Sequence, residues 1–219
     1  MSYAILRLNK IKSLSGSLGN HIDRCTSDGE LCYPSNIQDR AILNNIHWDK
    51  NGQSYTQKEW ANYCKKTPFQ DRIQNEIKSR YKIQKNIRKD AVKAIDYIMT
   101  SDNAKMAEIF SDENLVQSWM KDNKTFLSET YGEENVLSMH LHLDETTPHL
   151  HAVIVPITND GRLSAKEFIN GRKSLAEQQT RYAELMEKYG MQRGEAGSKT
   201  KHEQLWKKDK PQHTQIYER

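Results

Sequence analysis

The chain has 219 residues, of which 36% are hydrophobic, and its 33 Lys and Arg residues against 29 Asp and Glu residues give a formal net charge of +4. This length suits one domain or one domain with an appendage, and no apolar run approaches the ~20 residues that a membrane span requires. The start MSYAILRLNK is not typical of a signal peptide, and three cysteines without C-x-x-C spacing argue against a disulfide framework or a cysteine zinc site. We therefore expect a soluble protein of the reducing cytoplasm, without a membrane segment.

Charge is distributed unevenly along the chain. Residues 64–93 hold ten basic and three acidic residues, and residues 94–148 hold three basic and eleven acidic residues. Residues 190–219 hold seven basic and four acidic residues. Clustered cations are what binding to a polyphosphate requires. A solvated helix face gives the same pattern, so charge alone leaves both interpretations open.

The residue pattern predicts secondary-structure elements along most of the chain. For the first part of the chain they are a strand at Tyr3–Leu8, a Gly- and Ser-rich loop at Ser13–Asn20 that leads to His21, short helices at Asp39–Trp48 and Thr56–Cys64, and a helix with a four-residue apolar period at Phe69–Gln84. For the second part they are a strand at Ala91–Thr100, a helix from Ser111 or Asp112 to Tyr131, two strands at Asn135–Asp144 and His149–Thr158, and a helix at Lys173–Tyr189 that ends at Gly190.

The best-marked feature is the pair of strands joined by Glu145–Pro148. A connection of four residues permits only an antiparallel hairpin. Because strands and helices are intermixed along the chain, the predicted fold class is α+β, with a central antiparallel sheet flanked by helices.

Four of the eight histidines lie within this hairpin: His140, His142, His149 and His151. Side chains two residues apart in a strand share a face, and facing pairs on neighbouring strands have Cβ atoms ~4.5–5.5 Å apart. The hairpin therefore predicts a metal site with three imidazole ligands and positions left open for water or substrate. From ligand chemistry alone the metal stays open, because three imidazoles suit Zn²⁺, Cu²⁺, Fe²⁺, Ni²⁺ or Co²⁺.

Three blocks of sequence resemble the MobV (Pre/Mob) relaxases, which are mobilisation nucleases of plasmids and transposons in the HUH endonuclease superfamily. His142-Leu-Asp-Glu-Thr-Thr-Pro-His149-Leu-His151 is similar to the metal motif of that family, and His21-Ile-Asp-Arg24 is similar to its first motif. Residues 87–92 and 98–102 resemble its central block. In the family pattern His140 is additional.

The resemblance implies an HUH-type sheet of about five strands and a relaxase activity. Such an enzyme makes a site- and strand-specific nick at a transfer origin, stays covalently attached to the 5′ end through a phosphoramidate, and later rejoins the strand. The implied metal is one Mn²⁺ or Mg²⁺ ion. The implied partner is origin-of-transfer DNA, as a hairpin plus the single strand around the nick, and other transfer proteins are candidate partners.

The resemblance also assigns roles to residues. It implies His21 as nucleophile, His142, His149 and His151 as metal ligands, and Glu145 as the carboxylate that fixes the tautomer of His21. By strand alternation Asp144 shares a face with His142, so it is a candidate to hold a ligand imidazole from behind.

The remaining candidate residues are basic. A guanidinium matches phosphate oxygens in a bidentate way, so Arg24 and Arg88 are candidates to grip phosphate, although either could be an ordinary surface arginine. Further DNA contacts are expected from lysines of the basic block, which are Lys78, Lys82, Lys85 and Lys89.

Domain organisation and alternative functions complete the expectations. We expect a relaxase domain at residues 1–193, followed at 194–219 by a basic linker or tail that begins a truncated C-terminal region. A rolling-circle replication initiator would share the same chemistry. A DNA-binding module whose histidines hold a structural metal, without nuclease activity, is the alternative from a different class.

Overall fold

The computed structural model of the chain describes residues 1–33 and 41–195. Within these residues the strands are β1 (Ser2–Tyr3), β2 (Ile5–Ile11), β3 (Ile46–Asp49), β4 (Ser54–Thr56), β5 (Ala94–Thr100), β6 (Val136–His142), β7 (His149–Ile154) and β8 (Met191–Gln192). The α-helices are α1 (Gly16–Asp23), α2 (Gln57–Lys66), α3 (Phe69–Arg80), α4 (Asn103–Phe110), α5 (Glu113–Tyr131), α6 (Ala165–Phe168) and α7 (Gly171–Met186). Among the helices of these residues, none is both long and apolar enough to cross a bilayer.

Six strands form one antiparallel sheet in the order β2-β5-β7-β6-β3-β4. The two-residue strands β1 and β8 pair with each other in parallel, away from this sheet. The predicted α+β class with a central antiparallel sheet is confirmed. The sheet has six strands where about five were expected, because β3 and β4 add a hairpin beside β6.

Helices cover both faces of the sheet. On one face, the larger core contains buried side chains of α4, α5 and α7, among them Trp119, Phe126 and Tyr182. On the other face, a second core contains Ile22 of α1 and the α3 residues Phe69, Ile73 and Ile77. Because side chains alternate along each strand, every second residue of β6 and β7 points toward α1 and α3, and this face carries the candidate site.

Several predicted helices are confirmed with small changes at their ends. The helix predicted at Thr56–Cys64 is α2, which Thr56 caps by accepting a hydrogen bond from the Glu59 backbone N–H, while the Glu59 carboxylate accepts one from the Thr56 N–H. The helix α5 begins after Asp112, whose side chain accepts from the Asn114 N–H. The helix α3 ends at Arg80, four residues before the predicted end.

The loop predicted at Ser13–Asn20 is wrong, because most of it forms α1. The glycines suggested a flexible segment, but Gly19 serves close packing between helices. A Cβ atom placed on Gly19 would lie 2.8 Å from Cβ of Phe69. Only glycine allows α1 to approach α3 this closely, and that approach buries Ile22 completely.

The helix predicted at Asp39–Trp48 is also wrong where the structure describes it. Residues 41–44 form a single 3₁₀ turn, and β3 follows. Here pairing of β3 with β6 overrides a weak local helix preference. The helices α4 and α6 were not predicted, and residues 196–219, which hold nearly all of the expected tail, lie outside the described residues.

Candidate active site

The three predicted ligand histidines meet on the hairpin of β6 and β7. In its register His142 faces His149, and His140 faces His151. One ring nitrogen from each of His142, His149 and His151 lies within 4.8 Å of the other two. The expected convergence of three imidazoles therefore occurs.

Each of these imidazoles is oriented by a hydrogen bond from its other ring nitrogen to a carbonyl or carboxylate oxygen. The bonds are His142 Nε2 to the Ile22 carbonyl at 2.9 Å, His149 Nδ1 to the Thr147 carbonyl at 3.0 Å, and His151 Nδ1 to Asp96 Oδ1 at 2.9 Å. A nitrogen that donates to such an acceptor carries the ring proton. The lone pair of each neutral ring is therefore on the remaining nitrogen.

The chemistry of these donors fits a metal ion. His142 Nδ1 and His151 Nε2 are buried and have no hydrogen-bond partner within the described part of the chain, an arrangement that costs ~1–3 kcal/mol per group unless a ligand binds there. Burial also lowers the pKa of His149 to about 4 and holds the pKa of His142 well below its ordinary value. His142 and His149 are thus neutral, as metal ligands must be.

His21 lies beside this group in the last turn of α1. Its ring centroid is 5.4 Å from that of His151 and 6.3 Å from that of His142. Burial, together with the nearby His151 and Arg24, lowers the pKa of His21 to about 3. The ring is therefore unprotonated at neutral pH, which is the form a nucleophile requires.

Arg24 is fully buried and donates hydrogen bonds to three other residues of the site. Nε and Nη2 donate to Asp144, Nη2 also donates to Glu145 at 2.5 Å, and Nη1 donates to both Nδ1 and the backbone carbonyl of His21. These bonds occupy all five guanidinium N–H groups. In this geometry Arg24 therefore has no N–H group left for a phosphate and instead orients His21, so phosphate binding by Arg24 stays a prediction.

The two carboxylates of the hairpin turn do not make the predicted contacts. Asp144 accepts from Arg24 and from Asn45 Nδ2 at 2.9 Å, and its hydrogen bonds include none to a ligand imidazole. Glu145 bonds to Arg24, which stands between it and His21. The carboxylate that holds a ligand imidazole is Asp96, which lies on the neighbouring strand β5.

The additional His140 does not join the ligand group. It is completely buried, and its Nδ1 lies 2.9 Å from Nδ1 of His47. Its Nε2 accepts from the Ser138 hydroxyl, and His47 Nε2 donates to Gln57 Oε1 at 3.0 Å. This chain of hydrogen bonds satisfies both neutral rings and forms a rigid polar layer behind the site.

The five predicted DNA-contacting residues are all exposed but do not form one surface. The helix α3 ends at Arg80, so Lys78 is helical and the others lie in the segment after it. Lys85 and Arg88 line a cavity of about 700 Å³. Lys82 packs against Gly161, and Lys89 is exposed outside that cavity.

Three functional residues were not found from sequence: Asp96, His47 and Asn45. Asp96 had a usable signal, because it is the one acidic residue within the apolar strand AIDYIMT. His47 and Asn45 fall in the segment that was wrongly predicted as a helix.

Comparison with known proteins agrees with this geometry. The family model described as plasmid recombination enzyme matches residues 1–208. The plasmid recombination enzyme type 3 of Staphylococcus aureus is 34% identical over 215 residues, which are 94% of this chain and 47% of that protein. The type 1 enzyme of the same species is 31% identical, over 98% of this chain and 51% of the relative. The chain thus spans about half the length of the curated relatives it matches.

A solved structure is similar throughout. The MobM relaxase domain, crystallised with Mn and bound to oriT DNA of plasmid pMV158, has a TM-score of 0.75 and 26% sequence identity, over 93% of this chain and 97% of that one. A second Mn-bound crystal structure of the same domain gives 0.76 and 25%. With the family model matched over residues 1–208 and relatives above 30% identity, this chain belongs to the plasmid recombination enzyme family, also named Mob_Pre.

Proposed function

We propose that this chain is a relaxase, which nicks one strand of DNA at a transfer origin and later rejoins it during plasmid or transposon mobilisation. The observation that carries the proposal is a neutral His21 ring beside three imidazoles whose free nitrogens converge. The similarity to a relaxase domain bound to oriT DNA supports the same substrate class.

The three imidazoles would hold one divalent cation, through His142 Nδ1 and the Nε2 atoms of His149 and His151. Similarity to the Mn-bound MobM domain favours Mn²⁺, with Mg²⁺ as the alternative, while the ligand set alone also suits Zn²⁺, Ni²⁺ or Co²⁺. When bound, such an ion polarises the scissile phosphate and offsets the negative charge that develops there.

In the proposed reaction His21 attacks phosphorus. A P–N bond forms and the bond from phosphorus to the 3′ oxygen breaks, so the 5′ phosphate remains on His21 as a phosphoramidate. The 3′ oxygen keeps the electron pair and takes a proton. Because the P–N bond preserves the energy of the phosphodiester, attack by the 3′ hydroxyl reseals the strand without another cofactor.

The tautomer of His21 sets a requirement for this step. In the DNA-free geometry Arg24 donates to Nδ1, so the proton lies on Nε2. Attack through Nε2 requires the proton to be on Nδ1, with an acceptor beside it. We assign that acceptor role to Glu145, which shares Arg24 with His21 and is the less buried of the two carboxylates, with 22% of its side chain exposed. The role of Arg24 is then to position both groups.

Location and domain organisation follow from the proposal. A strand transferase for plasmid DNA acts in the cytoplasm, where that DNA lies, and the free cysteines Cys25, Cys32 and Cys64 suit a reducing compartment. We assign the nuclease to residues 1–193. Contacts with other transfer proteins remain a proposal.

A nicking assay tests the proposed function. An end-labelled single strand that carries the cognate origin should be cut at one position with Mn²⁺ and left intact with EDTA. His149→Ala should abolish cutting and leave DNA binding in place, because His149 contributes a ligand nitrogen and lies away from the exposed lysines. Metal-independent cutting, or cutting by His149→Ala at the wild-type rate, would refute the proposal. Metal-dependent folding without any cutting would instead support the non-catalytic DNA-binding module.

A further inference from the structure

The cavity of about 700 Å³ lies outside the metal site. It is a groove between residues 81–92 and residues 162–171, closed on one side by Lys10 and Lys12 at the end of β2. We call it the basic groove. None of the described residues that line it belongs to the three-histidine group or forms a hydrogen bond with His21.

The charge of the basic groove is strongly positive. Six basic side chains and one acidic side chain line it. Arg162 is neutralised by Asp160 and Glu167, and Arg88 lies 3.5 Å from Asp90. The four lysines that line the groove have no carboxylate within ion-pair distance among the described residues, and these are Lys10, Lys12, Lys85 and Lys166. Four uncompensated cations around one groove match the spaced phosphates of a nucleic acid.

The apolar side chains that line the basic groove are half-buried or buried while its four lysines are exposed, so the apolar side chains form its floor. Ile83, Ile87, Val92 and Leu163 line it, together with the ring of Tyr81. A positive rim above an apolar floor is the arrangement that binds single-stranded nucleic acid, with phosphates on the rim and bases against the floor. A duplex presents its phosphates outward and shields its base faces, so it would leave this floor uncovered.

The position of the basic groove relates it to the metal site. Val92 lines the groove, and Ile98 is paired with the ligand His151. Val92 and Ile98 are six residues apart in a nearly extended chain, which corresponds to a distance of ~20 Å. Arg7 is paired with Ile98 on the edge strand β2, is exposed, and has no carboxylate partner among the described residues. A cation thus lies at the start of the path from the metal site to the groove.

From this arrangement we infer that the basic groove holds a single-stranded segment of the same DNA strand that is nicked, about six stacked nucleotides from the scissile phosphate at ~3.4 Å each, or fewer if the strand is extended. The inference rests on the proposed function for the identity of the strand. The contact itself does not require the metal ion or the nucleophile.

The test measures salt-dependent binding of the whole chain in EDTA, so that no reaction occurs. The probe is a fluorescent oligothymidylate of about 16 nucleotides, and a duplex of the same length is the competitor. The variant replaces Lys10, Lys12 and Lys166 by Ala. Its control replaces Lys58, Lys65 and Lys121 by Ala, which removes the same number of exposed lysines without carboxylate partners among the described residues from α2 and α5, where none lines the groove.

The expected result is a slope of log affinity against log salt that falls by ~2 in the groove variant, since each phosphate contact to a single strand contributes ~0.7. The control should keep the wild-type slope. Lys166→Glu alone is a second test, with an expected fall in slope of about 0.7 or more, and the unfolding midpoint of each variant checks that it is folded.

Three results would overturn the inference: an unchanged slope in the groove variant, an equal fall in the control, or an equal loss of affinity for the duplex. A chain that nicks DNA but keeps the slope in the groove variant would refute only the groove. A chain that shows the loss of slope but never nicks would refute the proposed function and leave the groove in place.

Discussion

The close contact between α1 and α3 predicts that one methyl group at Gly19 displaces His21, the proposed nucleophile. In Gly19→Ala the new Cβ would lie 2.8 Å from Cβ of Phe69 and 3.0 Å from its Cγ. The Phe69 Cβ is bonded to the α3 backbone, so no side-chain rotation moves it. An ordinary contact begins at 3.4 Å, and the two helices must therefore separate by about 0.6 Å. His21 lies two residues further along α1 and moves with it.

The magnitudes predict that Gly19→Ala lowers the nicking rate strongly and the free energy of unfolding only modestly. Overpacking costs ~1–3 kcal/mol, and the smaller loss of backbone entropy of alanine in a helix returns ~0.5–1 kcal/mol, so the free energy of unfolding should fall by about 0–2.5 kcal/mol. A displacement approaching 1 Å at a reacting group costs up to ~10²-fold in rate. We expect nicking by the folded variant to slow by about ten- to a hundredfold.

The assay is urea unfolding together with the nicking rate, measured where the variant is fully folded. Gly16→Ala is the matched control in the same helix, because its new Cβ would have Gln70 Nε2 as nearest atom, at 4.0 Å. It should be neutral or slightly stabilising and should nick at the wild-type rate. Wild-type stability and rate in Gly19→Ala would show that this packing does not position His21.

Three further predictions concern the polar groups around the metal site. Asp96→Ala should weaken Mn²⁺ binding by about 10–100-fold in calorimetry, because a ligand imidazole loses the acceptor that orients it; unchanged affinity would contradict that role. Arg24→Lys keeps the charge but has only three N–H donors, so the nicking rate should fall by up to ~10²-fold while the chain stays folded. A wild-type nicking rate would show that Arg24 does not position His21 and Glu145. Burial lowers the pKa values of His21, His47 and His149 to about 3, 3 and 4. Between those values and pH 6.5 the unfolded chain binds more protons than the folded chain. The free energy of unfolding of the metal-free protein should therefore be undiminished above pH 6.5 and should fall below it by up to ~1.4 kcal/mol per pH unit for each group. A free energy of unfolding in urea that is constant from pH 6.5 to 4.5 would refute this.

The convergence of the three histidines that we propose as metal ligands was predictable because their geometry is local. A four-residue connection fixes the hairpin, and strand alternation then places His142, His149 and His151 on one face. The helices α3 and α5 were likewise predictable, since the apolar period of α3 and the N-cap Asp112 of α5 each lie within a single segment. No contact distant in sequence is needed for either inference.

The features that could not be predicted from the sequence depend on contacts between residues that are distant along the chain. Glycine in a loop and glycine at a helix contact look alike until Phe69 is placed against Gly19. Arg24 was expected to bind phosphate because a guanidinium suits it, and only the fold brings the carboxylates of Asp144 and Glu145 to its donors. Asp96 pairs with His151 across two strands that are more than 50 residues apart.

The central claim is that His21 is the nucleophile, and identification of the covalent protein–DNA adduct tests it most directly. The nicking reaction is stopped, the chain is digested, and the peptide that carries the nucleotide is located by mass spectrometry. The account predicts one adduct on His21 that decays in mild acid, as a P–N bond does, and that is absent from His21→Ala. An acid-stable adduct on Tyr3, Tyr33 or Tyr55 that persists in His21→Ala would contradict it.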